Sequence, residues 1–188
     1  IFGRTALGNL RRIGANGGEC SPNFAVSGQT CDGLMPRGGM TPVKDKDNGR
    51  DAPKLPDRLP ERDWHADEDK EELSRCVIAE CTIDLEGRTR SFDQIVFRNV
   101  TFESDGPTRL ELTDVVFEKC DLSNLDLSDA TIHRTEFRQC KVMGIQLPEA
   151  LLRNVLFSDC AGDYANFRYA TLKRVVFENS AMREADFY

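Results

Sequence analysis

The sequence predicts an all-β protein, a coiled solenoid whose backbone wraps a narrow tube with four sides per turn. Three regularities predict it. Large side chains recur at every fifth residue from Phe92 to Phe187, through Phe97, Phe102, Leu112, Phe117, Leu122 and onward, and only Pro107 and Gly162 break the series. Two residues before each anchor stands a small or β-branched residue, as at Cys120, Ala130, Thr135, Cys140, Ala150, Val155, Cys160, Ala165 and Ala170. A longer period of twenty aligns Phe97, Phe117, Phe137, Phe157 and Phe177 with one another, and likewise Cys120, Cys140 and Cys160.

Neither regular element accommodates a period of five. Five residues carry an α-helix about 140° past a full turn, so the anchors would wind around the cylinder. A straight strand alternates its side chains, so an odd spacing sends successive anchors to opposite faces. The conflict disappears if the chain turns a corner once per pentad, which keeps the anchor and the residue two before it pointing at one axis. The residue between them then faces water, as expected of Asp121, Asp126, Glu136, Lys141, Asn166 and Asp186.

The segments Ala165-Asn166-Phe167-Arg168-Tyr169, Cys120-Asp121-Leu122-Ser123-Asn124 and Ala185-Asp186-Phe187 resemble the unit of the pentapeptide-repeat family, roughly Ala-(Asp/Asn)-Leu-x-x. The resemblance covers about half of the chain without a slip in register. It implies that family's right-handed quadrilateral parallel β-helix, here of about five to six coils stacked at ~4.8 Å. It also implies a non-enzymatic scaffold for protein–protein interaction, or alternatively a DNA-mimicking modulator of type II topoisomerase, of the kind that protects or inhibits gyrase and confers quinolone resistance.

Taken in order, residues 1–62 read as an irregular, flexible arm, since they hold ten of the fourteen Gly and six of the eight Pro with no sustained period. Residues 63–75 are expected to form a short helical cap. Acids at Asp67, Glu68 and Asp69 and a base at Arg75 suit the helix dipole. The β-helix follows over 76–188, starting at Cys76-Val77-Ile78 and Cys81-Thr82-Ile83, with a short insertion through Leu85-Glu86-Gly87-Arg88. Pro107 and Gly162 are expected at local defects or bulges. Both ends of the chain read as trimmed, and an uncovered last coil would offer strand edges for homo-oligomerisation.

Composition narrows the function classes. From Phe92 onward sixteen acids face eleven bases (16 − 11 = 5), which argues against direct nucleic-acid binding through a basic footprint. No apolar stretch is long enough for a membrane span and none resembles a secretory signal, so a cytoplasmic location is expected. Of the seven Cys, Cys76, Cys81, Cys120, Cys140 and Cys160 fall at inward positions as reduced, buried thiols, while Cys20 and Cys31 lie in the arm. Zinc ligation by Cys76, Cys81 and His65 is disfavoured because adjacent pentads point from different sides. With two His, His65 and His133, and no nucleophile elbow or phosphate loop, no catalytic, cofactor or metal site is expected. Asn99-Val100-Thr101 matches a glycosylation acceptor by chance, since Val100 belongs to the core series.

Function is therefore sought on the outside, toward an unidentified protein partner. On the Phe side the outward residues Val96, Val116, Leu156 and Val176 form an apolar stripe, interrupted by Glu136. This stripe is a candidate interaction surface unless the arm covers it. On the preceding side His133, Arg134, Arg153, Lys173 and Arg174 make a candidate charged patch. The side expected to carry a mimic's carboxylates reads Gly106, Asp126, Gln146, Asn166, Asp186, with Arg109 and Arg168 interspersed, a broken row.

Overall fold

A computed structural model describes residues 24–27, of which only the backbone is considered, and residues 49–66, 70–86 and 88–188. One long sheet is built from β1 (Phe24–Ser27), β2 (Glu72–Ala79), β4 (Arg90–Arg98), β6 (Leu110–Thr113), β7 (Val116–Glu118), β8 (Thr131–Arg138), β9 (Leu151–Ser158) and β10 (Thr171–Glu178). Two further strands, β3 (Thr82–Asp84) and β5 (Thr101–Glu103), pair with each other. Every pairing is parallel, and from β4 onward each residue faces the one twenty positions later, as Phe137 faces Phe157 and Phe157 faces Phe177. The result is a β-solenoid of about five turns.

The corners explain the pentad. The backbone enters the left-handed region at Gln94 and Asn99 and then at every fifth position from Asp114 through Lys119, Asn124, Asp129 and Arg134 to Glu184, with φ between 47° and 65°. Among these corners from Gln94 on, only Gly144 is a glycine. A non-glycine residue there costs roughly 1–2 kcal/mol, and the stack offsets it with inter-coil hydrogen bonds. The corner N–H groups of Asn99, Lys119, Gln139 and Asp159 donate to the carbonyls of Glu118, Arg138, Ser158 and Glu178 on the next coil. The long strands thus bend in mid-course, β4 at Gln94 and β8 at Arg134.

On the other two sides the coils turn too tightly for continuous strands. There they meet in single bridges such as Asp121↔Lys141 and Gln146↔Asn166. Asp or Asn at the outward position serves the backbone: the Asp121, Asp126, Asn166 and Asp186 side chains accept the N–H two residues on, from Ser123, Ser128, Arg168 and Tyr188.

Inside, Phe97, Phe117, Phe137, Phe157 and Phe177 stack with ring centroids 5.1, 4.8, 4.6 and 4.9 Å apart. The Cys120, Cys140 and Cys160 thiols donate to the carbonyls of Phe97, Phe117 and Phe137, and the Ser180 hydroxyl continues the column onto Phe157. Cysteine is favoured there as a small group that still satisfies a buried carbonyl. Trp64 closes the first coil, edge-on to Phe92 at 6.4 Å and beneath the Arg90 guanidinium at 5.1 Å.

Four expectations need correction. Of the helical cap expected over 63–75, residues 67–69 lie outside the described residues, and the described ones hold one 3-10 turn at Trp64–Ala66 and, from Glu72, strand β2. Leu73 is buried against the core one pentad before Ile78, and that burial outweighs the charge pattern of the preceding acids. The first coil carries no insertion but is one residue short, since Leu73 faces Phe92 and Thr82 faces Thr101, nineteen positions apart. Gly162 is not a bulge: it keeps the register through Ala161↔Ala181, and Met182 and Val142 fill its place. Glu136 is not solvated but buried at 3% exposure. Pro107 does mark a local defect, where buried Thr108 takes the inward place, bonded to Ser104.

Candidate functional site

The apolar stripe is covered by the chain itself at Val96 and Val116. Residues 49–62 run as an extended strap down the outside of the rod, and Leu55 and Leu59 pack on Val77, Val96 and Val116. Val96 and Val116 are therefore buried, as is Leu156, while Val176 is half-buried. Val96 and Val116 do not form an open contact surface, because burying a valine stripe under two leucines removes apolar area from water. Within the segment expected to be an irregular arm, residues 49–62 are thus docked, and β1 pairs with the edge of β10, Val26 in register with Phe177.

Polar contacts fix the strap's position. Arg50 donates to Glu136 at 2.7 Å, and Arg138 holds the other Glu136 oxygen at 2.9 Å. Asp51 accepts from buried Asn154 at 3.1 Å and lies 3.6 Å from Arg174. The Lys54 N–H donates to Asp114 at 2.8 Å, and the Lys54 carbonyl accepts from Gln94 at 2.9 Å. Farther along, the Val77 N–H donates to the Pro60 carbonyl and the Arg62 N–H to the Val77 carbonyl. Burial works to raise the Asp114 pKa, but the bonds from Arg134 and the Lys54 N–H outweigh it and hold the carboxyl below the usual range.

The charged column does not act as one patch. Arg134 is clamped to Asp114 by two 2.6 Å bonds. Arg174 leans toward Asn154 and Asp51. Burial, with Arg134 and Arg153 nearby, lowers the His133 pKa. Arg153 and Lys173 remain as exposed cations. On the other flank of the stripe, a groove of about 800 Å³ is lined by Arg98, Glu118, Lys119, Arg138 and Asp159. Its walls carry both signs, with Glu118 bridging Arg98 at 2.9 Å and Arg138 at 3.5 Å.

The Cys120, Cys140 and Cys160 thiols are buried and each donates to a backbone carbonyl, while Cys81 is only half-buried. The three thiols lie along one column, and hydrogen bonding between them raises the Cys140 pKa and lowers those of Cys120 and Cys160. Among the described residues no three His, Cys, Asp or Glu side chains are grouped to hold a metal ion, and no helix is long and apolar enough to cross a membrane. Cys20 and Cys31 lie outside the described residues.

Sequence reasoning missed the exposed apolar residues of the later coils. Met143 and Leu151 are each 45% exposed, Tyr164 59% and Tyr169 66%. Tyr164 and Tyr169 occupy left-handed corners on either side of Asn166, whose amide bonds Gln146 at 2.7 Å. The signal was available, since large apolar groups at corner positions have no core to enter.

Residues 110–187 match the family model described as pentapeptide repeat region. No curated protein matches the chain. Among solved structures, two trypsin-treated variants of QnrB1, a plasmid-mediated fluoroquinolone resistance protein, match at 21% and 18% identity with TM-scores of 0.31 and 0.23. In both cases 61% of this chain is covered, and the chain spans 64% of the QnrB1 structure's length. HetL, a pentapeptide repeat protein involved in heterocyst differentiation regulation from the cyanobacterium Nostoc, matches at 13% identity and a TM-score of 0.22, covering 65% of this chain and 91% of that one.

Proposed function

We propose that this chain, whose residues 110–187 match the pentapeptide repeat region, is a non-enzymatic scaffold that binds another protein through the outer side of its later coils. The observation that carries the reading is the exposed set Met143, Tyr164, Tyr169 and Leu151 on a rod whose interior is filled. Tyr and Met are enriched in the cores of protein interfaces, where rigid rings bury area at low entropic cost. The amides of Gln146 and Asn166 between the two tyrosines supply polar groups for register.

A photo-crosslinker at Arg168, between the tyrosines, tests it in extract of the source cells. The expected result is a discrete adduct with one protein that disappears when Tyr164→Ser and Tyr169→Ser are introduced. No adduct, or one indifferent to those substitutions, would remove the reading. The topoisomerase-mimic alternative is not favoured by the geometry. Asp126 and Asp186 are separated by Gln146 and Asn166, and both carboxylates are engaged in local turns. A gyrase supercoiling assay is expected to show no effect at molar excess of the protein.

A further inference from the structure

We infer that the channel holding the strap is a docking site for an extended peptide of a partner protein, and that residues 49–62 occupy it in cis. The inference rests on the reading of the chain as a protein-binding scaffold but uses a different surface. The channel reads its occupant at successive points. Glu136 is the one acid in the column Val96, Val116, Glu136, Leu156, Val176, and it stands where Arg50 arrives. Asn154 and Arg174 receive Asp51. Asp114 and Gln94 hold the N–H and carbonyl of Lys54, so that position is read through its backbone and not its side chain. The valine floor takes Leu55 and Leu59. Val77 then bonds the chain on both sides, to Pro60 and Arg62.

Backbone bonds combined with spaced apolar pockets are how extended peptides are recognised along a sheet. The ligand chemistry is therefore Arg-Asp-x-x-x-Leu-x-x-x-Leu, kept extended here by Pro53, Pro56 and Pro60. The strap is separable from the fold. It lies outside coils whose anchors are buried on the opposite side of the backbone, its two leucines are only half-buried, and Asp51, Ala52, Lys54, Pro56, Asp57 and Arg58 are exposed. Its own fit is also incomplete: Arg50 Nη1 is buried without a hydrogen-bond partner, although the side chain is 9% exposed overall. A partner segment that satisfies this position better can compete with the tethered strap despite the strap's high effective concentration.

The test adds a fluorescent peptide of residues 49–62 to the full chain and follows anisotropy. The unaltered chain is expected to bind at least tenfold more weakly than one carrying Leu55→Ser and Leu59→Ser, whose strap no longer competes. Glu136→Gln in that released chain is expected to weaken binding about tenfold, and a peptide with both leucines replaced is expected not to bind. A second released chain, Arg50→Glu with Asp51→Lys, leaves the leucines untouched and covers the case in which the first does not fold. If either released chain retains a strand-rich circular dichroism spectrum and binds the peptide no better than a scrambled one, the inference is overturned. Equal binding by released and unaltered chains overturns it too. Tyr164→Ser with Tyr169→Ser is expected to leave peptide binding unchanged, which separates failure here from failure of the surface on the later coils.

Discussion

Gly162 shows how closely single residues are matched along this rod. A Cβ there would meet Met182 Sδ at 2.6 Å and Val142 Cγ2 at 3.0 Å, so the glycine and the methionine one coil later divide one space between them. Gly162→Ala is expected to cost roughly 1–2 kcal/mol, as overpacking does. Because the Met182 end can be trimmed, Gly162→Ala with Met182→Ala should cost less than the sum of the two single changes, by on the order of 0.5 kcal/mol or more in urea unfolding. The sequence flags Gly162 only as a missing beat, since the letter that compensates it stands twenty places away. The outward Asp and Asn were legible as positions, whereas their work as acceptors for the N–H two residues on required the turn geometry.

At the scale of elements, the strap depends on carboxylates and is therefore sensitive to acid. The folded pKa of Asp114 lies below its unfolded value of about 3.9, so its stabilisation is fully present above that value and is lost as the pH falls through the folded pKa. The Val77 amide, which is bonded to the strap, is expected to lose its protection against hydrogen exchange, relative to an unfolded amide at the same pH, below about pH 4 while amides deep in β9 stay protected. Asp114→Asn should remove that acid dependence and loosen the strap at neutral pH, at a cost of roughly 1–3 kcal/mol. An acid transition that persists in Asp114→Asn would contradict this assignment. The stripe announced in the sequence that something had to cover it. Nothing in the letters selected residues 49–62, because two leucines among prolines give no periodic signal. Strand β2 was misread for the opposite reason: a run of acids ending in Arg75 resembles a helix, although Leu73 already keeps the five-residue spacing with Ile78 and Ile83.

For the molecule as a whole, one geometric claim supports the rest: the backbone returns above itself every twenty residues, so positions far apart in sequence form straight columns along the rod. The anchors made that visible in advance, since Phe ladders, Cys columns and small companions all share one period. The external layer was less visible, because it depends on which surface residues meet and not on which repeat. The columns on the outside can be measured directly. Spin labels at Arg98 and Glu178, both exposed and on the same column four coils apart, should give a narrow distance distribution. Four steps of ~4.8 Å place the two backbones about 19 Å apart. A broad distribution, or a mean beyond roughly twice that spacing once label length is allowed for, would contradict the coiled rod.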